Sequence, residues 1–157
     1  MKKYVIIAPH ADDEIIGCHE LLYSGMVETV LFSDEEDLFD ALRSIDNFGF
    51  SAKLIENWNF SLHSANMIYL FPDPVYETHP DHRGLGSIGE ALLRTGQEVI
   101  FYTTNMLAPY IHEVSQPHTK RNCLDNLYPT KKDLWKYEHK YFLFEGYTQW
   151  IMNFNHE

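Results

Sequence analysis

Apolar residues along the chain gather in short runs set apart by polar turns, and these runs read as strands alternating with helices. Tyr4 to Ala8 is a continuous apolar stretch of strand length, ended by Pro9. From Asp12 the period lengthens. Ile15, Ile16, His19, Leu22 and Tyr23 recur at helical spacing behind Asp12, Asp13 and Glu14, whose charges suit the positive end of a helix, and Gly25 reads as its stop. Val27 to Phe32 is a second strand, after which Ser33 caps an acidic helix reaching about Phe48 and Gly49. Lys53 to Ile55 reads as a short strand and Asn66 to Phe71 as a longer one. A loop rich in proline and aspartate, Pro72 to Arg83, leads into a helix through Ile88, Ala91 and Leu92, and Gln97 to Thr103 is the fifth strand. After about Ala108 the pattern is irregular, with one helix expected from Lys131 to about Phe142 and Trp135, Tyr137, Tyr141 and Phe142 as its packing stripe. Strands alternating with helices predict an α/β fold, a mostly parallel sheet with flanking helices and right-handed crossovers. No repeat, low-complexity segment or Gly/Ser linker divides the chain, so residues 1–157 read as a single domain, irregular from about residue 106.

Composition narrows the class. A chain of 157 residues buries roughly two-thirds of its unfolded surface, enough for a core without disulfides. Its two cysteines, Cys18 and Cys123, make neither a secreted disulfide framework nor a paired metal knuckle. The opening MKKYVIIAPHADDE has only a brief apolar run before charges appear, which suits a buried strand better than a signal peptide. No stretch approaches the roughly 18 apolar residues of a membrane span. A reducing cytoplasm is the expected location. The formal net charge of −11 argues against nucleic-acid binding, which draws on clustered Lys and Arg. The basic pairs Lys120-Arg121 and Lys131-Lys132 do not reverse that balance.

Two clusters change the picture. Pro9-His10-Ala11-Asp12-Asp13-Glu14 directly follows the first strand, and Thr78-His79-Pro80-Asp81-His82 follows the Asn66–Phe71 strand. In open α/β sheets ligands bind beyond the carboxyl ends of strands, and strands one and four can be neighbours where the strand order reverses, which would bring the clusters face to face. Imidazole and carboxylate together suit zinc and its neighbours, with three protein ligands at a catalytic centre. His10, Asp13 and His82 supply such a set, since His10 and Asp13 lie three apart across a strand-to-helix turn. Asp12 is then left beside the ion, placed to take a proton from a water. His79 precedes His82 by three, with Pro80 stiffening the loop and Asp81 available to hold an imidazolium that could stabilise an oxyanion and protonate a leaving amine. Each cluster alone has an ordinary reading, a charged helix start or a Pro-Asp turn. Their co-occurrence at two strand ends points to chemistry.

These residues resemble the PIG-L/LmbE family of zinc-dependent N-acetylglucosaminyl deacetylases. Its first motif, (A/P)HPDDE continuing into an apolar pair, Gly and Cys, is matched by APHADDEIIGC from Ala8 to Cys18. Its second, HPDH preceded by Glu-Thr and followed by Arg, is matched by ETHPDHRGLG from Glu77 to Gly86. The resemblance covers residues 1 to about 105 and implies a Rossmann-like fold. It implies His10, Asp13 and His82 as metal ligands, Asp12 as general base, His79 as the oxyanion-stabilising or acid histidine and Asp81 as the residue orienting it. Glu14 is expected behind the ligands, partnering a metal-bound histidine. The implied metal is zinc, with ferrous iron the alternative. The implied substrate is a small N-acetylated amino sugar or glycoconjugate, cleaved to acetate and free amine. Departures from the pattern are Ala11 in place of proline, His19-Glu20 in place of a Gly pair, and Asp37 or Asp40 where an Arg is common in the helix after strand two. The chain is also short after residue 105, where Tyr102, Tyr110, His112 and His118 are conceivable substrate groups nearby.

Rival readings are a metal-dependent hydrolase of another bond, such as a phosphoester, and a receiver-like signalling domain. The first would call for two metals and more ligands than the clusters offer. The second would place Lys after the fifth strand, where Thr103-Thr104-Asn105 stands.

Overall fold

The computed structural model describes residues 2–34, 48–49, 51–54 and 65–149. The strands and helices are β1 (Lys3–Ala8), α1 (Asp13–Tyr23), β2 (Val27–Phe32), β3 (Ser51–Leu54), β4 (Met67–Pro72), α2 (Pro80–Arg94) and β5 (Val99–Thr103). They continue with β6 (Tyr110–Glu113), α3 (Pro117–Leu127), a 3-10 segment (Pro129–Leu134), α4 (Lys140–Leu143) and β7 (Phe144–Tyr147). The seven strands among the described residues join one sheet in the order β3-β2-β1-β4-β5-β7-β6. The first five run parallel, while β7 pairs antiparallel with both β5 and β6. The chain is thus an α/β, Rossmann-like domain with a mostly parallel sheet. Its order 3-2-1-4-5 differs from the 2-1-3-4-5 of receiver-type folds. The expected acidic helix from Ser33 to about Phe48, including Asp37 and Asp40, lies largely outside the described residues, as does Ile55.

The central strands β1, β4 and β5 are largely apolar and buried because the sheet is covered on both faces there. Side chains alternate between the two sides. Ile6, Ala8, Leu70, Ile100 and Tyr102 join α1 and α3 in one core, with Ile15, Leu21 and Leu124. Val5, Ile7, Tyr69, Phe71 and Phe101 meet Leu85 and Leu92 of α2 in the other. β1 sits centrally, registering Val5 with Thr29 of β2 and with Tyr69 of β4. Order reverses between β1 and β4, so the expected switch point falls where both His-bearing loops emerge. Among the described residues no helix is long and apolar enough to cross a membrane.

The C-terminal third departs from the sequence reading. The expected helix from Lys131 to Phe142 is a 3-10 segment, a turn and the single helical turn α4. Trp135 and Phe142 are buried, but Tyr137 is 81% exposed, so these aromatics never formed one stripe. Helix α3 went unforeseen because its apolar signal rests on Leu124 and Leu127, with Lys120 completing its buried face. Its Lys120 ammonium donates to Ile16 O and Glu145 Oε1, a buried pairing that no period reveals. Strand β7 is marked by Gly146, normally a weak strand former, because a Cβ there would overlap Thr103 Oγ1.

A similar close approach joins α1 to the sheet. A Cβ at Gly17 would run into the Tyr102 ring, and that ring is tied down because its hydroxyl donates to Ile7 O at 2.7 Å. Gly17→Ala is therefore expected to destabilise the protein by about 1–3 kcal/mol through overpacking, despite the roughly 1 kcal/mol that alanine contributes in helix propensity. A fall in Tm measured by calorimetry checks this, and an unchanged or raised Tm counts against the packing argument.

Candidate metal centre

Three strand ends build the site. The first loop turns sharply from β1 into α1. His10 N–H donates to Asp13 Oδ2 at 2.9 Å, and Asp13 N–H returns to His10 O at 3.3 Å, so both side chains project to one side. The end of β2 pins this loop through Ser33 Oγ, which donates to Pro9 O at 2.8 Å. The second loop leaves β4 through a turn in which Asp73 Oδ1 accepts from Val75 N–H and Tyr76 N–H. Helix α2 then starts earlier than the sequence suggested. Pro80 takes its first position, so Pro80, Asp81 and His82 lie in the first helical turn with His79 as the N-cap. Gly86 lets α2 approach closely, since a Cβ there would press on Pro74. The third contributor is the end of β5, with Thr104.

His10, Asp13 and His82 converge. Asp13 Oδ2 lies 3.2 Å from His82 Nε2 and 3.4 Å from His10 Nδ1, and the two ring nitrogens are 3.4 Å apart. A four-coordinate zinc with bonds of about 2.0–2.1 Å spaces its ligand atoms about 3.3 Å apart. The triangle fits one such ion, with a two-imidazole, one-carboxylate donor set suited to zinc or ferrous iron. A second metal-capable group, His10 with His79 and Asp81, shares His10 with the first, but Asp81 faces its Nε2 while Asp13 and His82 face its Nδ1.

Electrostatics agree with the geometry. Burial would raise the Asp13 carboxyl, but hydrogen bonds from His10 and His82 outweigh it and hold the group well below the usual carboxylate range. Burial alone would lower the His82 imidazole, yet Asp13 and Glu77 on either side push it up to about 10. Contact with Asp13 likewise raises His10. In the metal-free protein a proton therefore takes the position a cation would claim.

Each histidine also meets a second carboxylate through its other nitrogen. His10 Nε2 faces Asp81 Oδ2 at 3.4 Å, and His82 Nδ1 faces Glu77 Oε1 at 3.4 Å. Such outer partners fix the ring and its tautomer. The sequence reading gave this role to Glu14, and that needs correction. Glu14 is fully buried behind the turn, where it accepts from Asp12 N–H at 2.9 Å and from the Tyr128 hydroxyl. Burial raises its carboxyl to about 7. Glu77 is the partner instead, held by Thr104 N–H at 2.6 Å and Thr104 Oγ1 at 3.0 Å. Its position in the quoted ETHPDH stretch was visible, but its pairing with His82 was not. Glu77→Gln keeps an acceptor for Thr104 and removes the charge behind His82. Metal affinity is expected to fall roughly 10- to 100-fold, read by competition with a chelator. Unchanged affinity would leave Glu77 a purely structural group.

Asp12 stands beside the triangle without joining it. It is 5% exposed, and its φ of 135° lies where L-residues are rarely found, which costs about 1–3 kcal/mol. Lys131 Nζ is 3.7 Å from its Oδ2. His79 is exposed, its ring centroid 5.1 Å from those of both His10 and His82. Its Nδ1 accepts from Asp81 N–H at 3.2 Å, which leaves Nε2–H as the ring's donor. Asp81 sits closer to His10 Nε2 than to His79 Nδ1, 3.4 against 3.8 Å, so it serves His10 more than the orienting role expected of it.

These groups open on a cavity of about 410 Å³. Its lining includes His10, Asp12, Asp13, His79, His82 and Glu77 together with Ile16, Leu134, Trp135 and Tyr141, and Lys131 beside Asp12. Trp135 and Tyr141 thus border the site, although the sequence placed them in a packing stripe away from it. The four conceivable substrate groups do not line the cavity. Tyr102 is core, Tyr110 and His118 are exposed elsewhere, and His112 Nε2 lies 3.9 Å from Glu20. Comparison with protein-family models, with curated proteins and with solved structures finds no match to this chain.

Proposed function

We propose that the protein is a metal-dependent N-deacetylase acting on an N-acetylated amino sugar of the N-acetylglucosamine type. The observation that carries this reading is the triangle of His10 Nδ1, Asp13 Oδ2 and His82 Nε2, 3.2–3.4 Å on each side, with the carboxylate of Asp12 beside it in a cavity. The two quoted motifs, whose residues are the same ones, supply the choice of bond.

His10, Asp13 and His82 would hold zinc, or ferrous iron in its place. Bound there, the ion supplies Lewis acidity and lowers the pKa of a coordinated water. Asp12 accepts the proton from the attacking water at its carboxylate. His79 Nε2–H donates toward the acetyl oxygen as charge develops, an interaction stronger in the transition state than in the ground state. The proton then passes from Asp12 or His79 to the amine nitrogen as the C–N bond breaks. Glu77 and Asp81 keep the His82 and His10 rings oriented through their outer nitrogens. The buried side chains of Ile16 and Trp135 make that part of the cavity apolar, and the partly exposed Tyr141 offers a ring on which a sugar can stack.

A panel of N-acetylglucosamine, N-acetylgalactosamine, N-acetylmannosamine and their simple glycosides tests the reading. The zinc- or iron-loaded protein is expected to release free amine from at least one, and excess chelator to abolish the release. No amine from any of them, with metal stoichiometry near one confirmed in the same sample, rules the assignment out. Stoichiometry near two with phosphomonoester cleavage would favour the rival hydrolase.

A further inference from the structure

Helix α1 holds Asp12 through its backbone, Ile15 N–H and Ile16 N–H donating to Asp12 O at 3.0 and 2.9 Å, but not through its side chain. Aspartate is among the best N-cap residues, yet the Asp12 side chain makes no capping hydrogen bond to α1. Part of the support for the strained Asp12 backbone comes from far along the chain. Lys131 Nζ donates to Ala11 O at 2.7 Å. Asp12 N–H donates to Glu14 Oε2 at 2.9 Å, and the other Glu14 oxygen accepts from the Tyr128 hydroxyl. Ala11 C=O and Asp12 N–H belong to one peptide unit, so that unit is gripped at both ends. Its plane sets the φ of Asp12, because rotating it about the Asp12 N–Cα bond is what changing φ means. The two grips are themselves joined, since Lys131 Nζ sits 5.9 Å over the centre of the Tyr128 ring. Lys131 then reaches past the clamped carbonyl to face Asp12 Oδ2 at 3.7 Å, along the cavity wall.

We propose that Lys131 is a positioning residue for Asp12, clamping the Ala11–Asp12 peptide together with Glu14 and Tyr128 so that the carboxylate stays in the cavity. The proposal rests on the reading of Asp12 as the proton acceptor. It gives the C-terminal segment a role that the two motifs do not contain. A chain carrying both motifs but lacking this segment would hold its ligands and misplace its base.

The test uses Lys131→Met, which keeps the stem of the side chain and removes the cation, beside Lys131→Arg. Amide hydrogen exchange reads the clamp without any substrate. In Lys131→Met the Asp12 amide is expected to exchange at least about 10-fold faster, while Leu21 and Leu22 inside α1 keep their protection, which also shows that the fold is intact. With an active substrate, kcat is expected to drop roughly 10- to 100-fold, the scale for a misplaced group, with KM and zinc affinity little changed. Lys131→Arg is expected to recover most of the exchange protection. In an Asp12→Asn background the Lys131→Met change is expected to add less than about 2-fold to the loss, because both act through one group. An unaltered Asp12 amide in Lys131→Met overturns the clamp. Losses that multiply in the double variant overturn its action through Asp12. Should the parent protein release no amine from any sugar, the deacetylase reading falls separately, and the exchange measurement still decides whether the clamp exists.

Discussion

Replacing His82 by alanine is expected to weaken zinc binding by more than about 10²-fold, since loss of an outer partner alone costs 10- to 100-fold and here a ligand itself is removed. The geometry gives no substitute. The remaining candidate group of His10, His79 and Asp81 is half-exposed or exposed, whereas Asp13 and His82 are buried. The same variant strips Asp13 and Glu77 of the imidazole between them, so the metal-free fold should also lose stability. His82→Asn, which keeps a polar group in that gap, separates the two effects. Competition with a chelator gives the affinity, and circular dichroism establishes that the variant is folded. Affinity within a few-fold of the parent would show that His82 is not a ligand. The parent protein carries a linked signature. Its His82 is raised to about 10, so the folded apoprotein holds a proton there at neutral pH that the ion must displace. Binding near pH 7 should release protons, seen by calorimetry in buffers of different ionisation enthalpy. Apparent affinity should climb by about tenfold per pH unit for each proton released and level off only as pH nears that value.

Asp12→Asn should do the reverse. Metal affinity should stay within a few-fold, because Asp12 is outside the triangle, while turnover falls by roughly 10² to 10⁴, the usual scale for a positioned acid or base. Asparagine keeps the shape and is among the residues that best tolerate positive φ, so the turn is preserved and only the proton acceptor is lost. The diagnostic is the contrast between the two variants: one loses the ion, the other keeps it and loses the chemistry. Full activity in Asp12→Asn would assign the base elsewhere. Proportional losses of affinity and turnover would mean that Asp12 acts by holding the site together.

The sequence by itself determined the class of fold and the contents of the candidate centre. Short, largely apolar runs at Tyr4–Ala8, Val27–Phe32 and Asn66–Phe71 read as strands, and one His-Asp cluster follows the first of them directly while the other follows the third after a short loop. His10 and Asp13 were legible as a pair because three residues across one tight turn hold them together whatever the rest of the chain does. Only the tertiary structure decided what depends on residues far apart in sequence. It seated β1 beside β4, bringing His82 to within 3.2 Å of Asp13. It set Glu77 rather than Glu14 behind a ligand, because a carboxylate's partner is fixed by the direction it points and not by its spacing from a motif. The C-terminal third was the least legible for the same reason. Its elements are short, and they are stabilised by single distant contacts such as Lys120 with Glu145, Gly146 against Thr103 and Lys131 on Ala11. Local periodicity carries no record of such contacts, since each exists only once the sheet has brought its two ends together.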